Sequence, residues 1–117
     1  MVETELVKTL SPFGKTYPFE IPDTETGNAL AYRRIGNRVT TKYHDGAHRI
    51  SESMFYVIRQ TNNYLDLCND QEFLSSVNKY SSEKVLSIRD DGYDDFKTST
   101  GQFERQYRLI ILHKEEI

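Results

Sequence analysis

The tightest constraint on this chain sits near its end, in "QYRLIILHK", where Leu109, Ile110, Ile111 and Leu112 follow one another without a polar break. A strand sends successive side chains to opposite faces. Four consecutive aliphatics therefore need cover on both sides, which only a central position in a sheet provides. No run approaches the roughly 18 apolar residues of a membrane span. The chain must then supply neighbouring strands for this segment, predicted over Arg105–His113.

The predicted neighbours come from two places. Lys84–Arg89 reads as a strand, joined to the last one by a long loop over Asp90–Glu104. Leu30–Ile35 and Arg38–Tyr43 flank Gly36-Asn37, a pair favoured in two-residue hairpin loops. Such a hairpin places Arg33, Arg38 and Lys42 on one face. Leu30, Tyr32, Arg34, Val39, Thr41 and Tyr43 fall on the other, which should pack on the core, so Arg34 needs a partner there. Residues 1–29, broken by Pro12, Gly14, Pro18, Pro22 and Gly27, read as short extended pieces. One is a strand near Lys15–Ile21, with Pro18 restricted to an edge or bulge.

Two helices are expected between the strand pairs. Ser51 or Ser53 can cap the first, along which Met54, Ile58, Thr61, Leu65 and Cys68 recur at helical spacing; "MFYVI" could equally be a strand, and the length of the periodic segment favours the helix. Asn69 followed by Glu72 resembles a capping box, with Phe73, Leu74, Val77 and Tyr80 as the buried stripe of the second. The order β-β-α-α-β-β predicts an α+β fold: a small antiparallel sheet with two helices on one face, in a single domain over 1–117.

Composition narrows the function classes. A net charge of −3 argues against avid, nonspecific nucleic-acid binding. One cysteine, Cys68, excludes an internal disulfide framework. Its place on the expected helix stripe makes it a small hydrophobe rather than a nucleophile. The acidic N-terminus lacks the pattern of a signal peptide, so a cytoplasmic location without membrane attachment is expected.

Charge is nonetheless concentrated. Tyr32–Arg49 holds Arg33, Arg34, Arg38, Lys42 and Arg49 against Asp45, a formal +4, which leaves −7 for the remainder. Guanidinium groups bind phosphate bidentately and tyrosine stacks on bases, whereas a solvated strand face that discourages edge pairing is the plain alternative. The candidate ligand-binding set is Arg33, Arg38, Lys42, Tyr43, His48, Arg49, Lys97, Arg105 and Arg108. Arg33, Arg38 and Arg105 would converge on one anion if the hairpin lay beside the last strand.

Other constellations are weaker. The loop with Asp90, Asp91, Asp94 and Asp95 fails the calcium-loop spacing, and Lys97-Thr98 lacks the glycine a P-loop needs. The loop could act as a lid, with Lys97 as a phosphate-compatible donor. His44 and His48 lie four apart on a turn, not a helix, so they are a poor metal pair. They could serve as acid and base in RNA cleavage. His113 is expected to be structural.

The pattern "DQEFLSSVNKYSSEKVLSIRDD…ERQYRLIILHKEE", a helix, a strand, a variable loop and a closing apolar strand, resembles two groups of proteins. These are the Cse60-type small proteins and the Tad1-type phage proteins that sequester a cyclic nucleotide. It covers about residues 70–116. The second resemblance implies a non-enzymatic, often oligomeric sponge for a phosphate-bearing nucleotide; no pocket residue carries over.

The resulting expectation is a non-enzymatic binding protein without cofactors. It would be of phage counter-defence type, sequestering a phosphate-bearing nucleotide through the basic hairpin face. The alternative is an inhibitor that binds a host protein or RNA through the same basic and tyrosine-bearing surface, with an RNase using His44 and His48 as a minor one. A homo-oligomer is compatible with each.

Overall fold

The fold is an α+β arrangement built on one five-stranded mixed sheet, in a computed structural model that describes residues 1–42 and 48–116. Helix α1 spans Val2–Leu10 and runs through a 3-10 turn at Ser11–Phe13 into strand β1, Lys15–Pro18. The long strands β2, Ala29–Lys42, and β3, His48–Thr61, follow. Helices α2, Tyr64–Cys68, and α3, Gln71–Lys79, lead to strands β4, Val85–Lys97, and β5, Phe103–Glu116. The spatial order is β1-β2-β3-β5-β4, with β1 parallel to β2 and every other pair antiparallel.

The apolar run places β5 as its chemistry requires, between β3 and β4. Leu109 and Ile111 are wholly buried under the helices, while Ile110 faces the other side at 9% exposure. Val2, Leu6 and Leu10 of α1, one turn apart, meet Phe73 and Val77 of α3 over Phe55, Val57 and Tyr107. Phe73 is the hub, with its ring 5.0 Å from those of both Phe13 and Tyr107. Pro18 ends the edge strand, where its missing N–H costs nothing.

Four expectations are corrected. The region 1–14 is helical, not extended: Val2, Leu6 and Leu10 form one stripe, and Pro12 stops the helix rather than breaking a strand. Gly36-Asn37 is not a turn but lies inside β2, where Ile35 is the extra residue of a bulge. Continuous pairing of β2 with β3 provides a ladder of fourteen-residue strands, more than a short hairpin could. The segment expected as the first helix is mostly β3. Its Ser51, Ser53, Phe55 and Val57 are buried in strict alternation, and the β-branched and aromatic run Phe55–Ile58 favours a strand. The long loop at 90–104 is instead the ends of β4 and β5, joined over 98–102 by a turn in which the Thr98 N–H donates to the Gln102 carbonyl at 2.8 Å.

The observed order is therefore α-β-β-β-α-α-β-β, not β-β-α-α-β-β, and three helices stand where two were expected. The second expected helix is α3, with the stripe of Phe73 and Val77 in place. Cys68 is exposed in α2 rather than buried.

Candidate functional site

Alternation along the strands sorts the sheet into a covered and an open face. Leu30, Phe55, Val57, Tyr107, Leu109 and Ile111 lie under the helices. On the open face, cross-strand register builds rows. Arg33 lies opposite Tyr56, and Tyr56 opposite Arg108. Gly36, Met54, Ile110 and Arg89 form the next row, and Arg38, Glu52, Leu112 and Ser87 the one beyond. The bulge at Ile35 is what returns Arg38 to the same face as Arg33.

The centre of this face is apolar and its rim cationic. Met54, Tyr56, Ile58 and Leu112 are half-buried there, and among the described residues no helix lies over them. The Arg33 guanidinium lies 5.3 Å from the Tyr56 ring and 5.5 Å from that of Phe19. On the other side, Arg108 donates to Asp94 at 2.8 Å and to the Asp91 carbonyl at 3.0 Å. Arg38 pairs with Glu52 at 3.2 Å, and Arg89 approaches the same carboxylate at 3.9 Å. Glu104 completes the rim; burial alone raises its carboxyl above the usual range.

The other cations point elsewhere. Arg105 is 3% exposed on the covered face. It forks onto Asp95 at 2.7 and 3.0 Å and donates through Nη1 to the Leu67 carbonyl at 2.7 Å and to Asp70 at 3.0 Å. The Tyr93 ring lies 3.8 Å beneath it. Tyr107 and Tyr64 hydroxyls donate to Asp70 and Asp95 in turn. The Arg105 bond holds the Asp95 carboxyl below its ordinary value. Arg33, Arg38 and Arg105 thus do not converge: the first two face outward, and Arg105 ties α2 and α3 to the sheet.

Arg49 pairs with Glu115 at 3.3 Å on the covered side. Arg34 finds the partner it needs in Glu3, at 2.9 Å. Lys97 lies over the Phe103 ring at 5.6 Å, at the far end of the sheet. Lys42 and His48 are placed by backbone alone, opposite Arg49 and Glu116. Tyr43 and His44 fall outside the described residues. His113 is buried and bonded to Ser53 Oγ at 2.6 Å, a structural placement.

Among the described residues, no group of three metal-ligating side chains gathers, and no helix is long and apolar enough to cross a membrane. Three residues escaped sequence reasoning: Tyr56, Arg59 and Arg89. Tyr56 and Arg59 lie in the segment expected as the first helix. The alternation of Ser51, Ser53, Phe55 and Val57 was the signal that could have placed Tyr56 outward and Arg59 inward. No family model matches the chain, and no curated protein matches it. The functional reading accordingly rests on geometry.

Proposed function

We propose that this chain is a non-catalytic interaction protein that recognises a protein partner through the open face of its sheet. The observation that carries this is the apolar centre of that face: Tyr56 set between Arg33 and Arg108, with Met54 and Ile58 on either side of it and Leu112 further along. Interface cores are enriched in aromatics, Met and Arg, and the strongest anchors cluster at their centre. A partner with an apolar patch and acidic groups complements it, because no carboxylate among the described residues pairs with Arg33. An inhibitor that masks a partner's surface needs nothing beyond such a face.

The nucleotide-sequestering reading draws on the same cations. Their spread favours a macromolecule: Arg33 and Arg108 stand two strands apart, ~10 Å, and Arg38 opposite Glu52 lies ~13 Å further along. The experiment has two arms. Tagged protein should retain a specific protein from its native lysate after nuclease treatment, and Tyr56→Ala should release it. A panel of cyclic and linear nucleotides should leave the melting temperature unchanged. A nucleotide-induced rise that Arg33→Ala removes would replace this reading with the nucleotide one.

A further inference from the structure

Two arginines on opposite faces of the sheet share one arrangement. Among the described arginines, only Arg33 and Arg59 make no ion pair, and each lies beside two aromatic rings. Arg59 is on the covered side, with its guanidinium 5.1 Å from the Phe73 ring and 5.8 Å from that of Phe13. Ring contacts of this kind supply no hydrogen-bond acceptor in the plane of the guanidinium. Its Nη1 is buried and has no hydrogen-bond partner, the one such side-chain atom among the described residues.

Arg59 also lines a cavity of about 230 Å³. Around Arg59 the walls are polar: Asn28, Gln60, Thr61, Asp66 and Asn69. Asp66 does not neutralise the arginine; its carboxylate accepts from Thr61 Oγ1 at 3.2 Å. Gln60 is fixed by donating from Nε2 to the carbonyls of Glu25 and Gly27, at 2.8 and 3.0 Å. An unpaired buried N–H on a charged group is costly. The cavity that Arg59 lines is large enough for more than water, whose share of liquid volume is ≈ 30 Å³.

We propose that this cavity is a binding site for a small carboxylate, held by the Arg59 fork and oriented by the surrounding amides. A planar carboxylate meets a guanidinium edge with two parallel hydrogen bonds. Asn28 and Asn69 can each donate or accept, which suits a ligand carrying an amide next to its carboxylate. Asp66 in the wall repels added negative charge, so a monoanion is preferred over a phosphate dianion. The site lies on the helix-covered side and is independent of the open face.

The test follows Arg59 by NMR in arginine-labelled full-length protein. N-acetylglycine, acetate and inorganic phosphate are each titrated at constant ionic strength. The expected result is a saturable shift of the Arg59 side-chain signal with N-acetylglycine, weaker binding of acetate and weaker binding still of phosphate. Arg59→Lys keeps the charge but loses the fork, and should weaken N-acetylglycine at least about tenfold. Asn69→Ala leaves the arginine in place and should weaken N-acetylglycine more than acetate. Shifts that never saturate, equal binding to Arg59→Lys, or tighter binding of phosphate would overturn the proposal.

Discussion

Arg105 ties two helices to the sheet. It is buried, bidentate to Asp95, bonded to Asp70 and to a main-chain carbonyl, and stacked on Tyr93. Removing one partner of a buried pair leaves the others desolvated and unpaired, so Arg105→Ala should cost about 3–5 kcal/mol in urea unfolding. Arg105→Lys should also lose stability, because an ammonium cannot fork onto a carboxylate. A loss within the ~0.5 kcal/mol of an ordinary surface change would contradict this. His113 makes a second, pH-dependent contribution. Ser53 gives its single hydroxyl hydrogen to Asn37 Oδ1 at 2.5 Å, so Nε2 of His113 is the donor to Ser53. Burial holds the imidazole below its ordinary value of 6.5. The unfolded chain then takes up a proton before the folded one does. Stability is complete above about pH 6.5 and declines as pH falls towards the folded value. His113→Gln should remove that part of the slope between pH 5 and 7, roughly, and an unchanged slope would refute the assignment. Glu5 acts lower: hydrogen bonds from Ser82, then Lys8 and Tyr80, bring its carboxyl to about 2, so its contribution fades as pH drops below 4.5.

At the scale of elements, the two glycines of the bulged strands differ. Gly92 in β4 has φ +93°, and an added Cβ would stand 2.6 Å from the Arg108 guanidinium. Gly92→Ala should therefore cost on the order of 1–3 kcal/mol and displace Arg108 from Asp94. Gly36 has no atom within 4 Å of such a Cβ. Gly36→Ala should be neutral or slightly stabilising, and thermal melts of both variants compare them directly. Much of the element inventory was legible in the sequence where a segment carries its own instructions. β5 declares a central strand through four adjacent aliphatics, β1 an edge through Pro18, and α3 its stripe of Phe73 and Val77. What was not legible depends on partners distant in sequence. Gly36-Asn37 has the chemistry of a tight turn, but β3 offers a continuous ladder on both sides of it. Met54, Ile58, Thr61, Leu65 and Cys68 match helical spacing by coincidence, whereas the pairing of 48–61 with both β2 and β5 decides the strand. The candidate site was half legible for the same reason. Arg33 and Arg38 share a face as expected, through a bulge rather than a turn, and Arg105 turns inward because Asp70 and Asp95 lie there.

The whole molecule is a slab with one side finished. Its extents of 50 × 25 × 21 Å follow from fourteen-residue strands, each rising ~3.4 Å per residue. Among the described residues the three α-helices lie on one face, and the other presents Tyr56 at its centre. A sheet with one solvated face is ordinary for antiparallel strands, but an aromatic and aliphatic centre rimmed by arginines is the composition of a contact surface. The most direct test is the affinity of the captured partner for three forms of the protein, measured by calorimetry. Tyr56→Ala should weaken binding by ~2 kcal/mol or more, about 30-fold, with its melting temperature little changed. Cys68→Ser, exposed on the helix side, should bind as the parent does. Undiminished affinity in Tyr56→Ala would contradict the open face as the interaction surface.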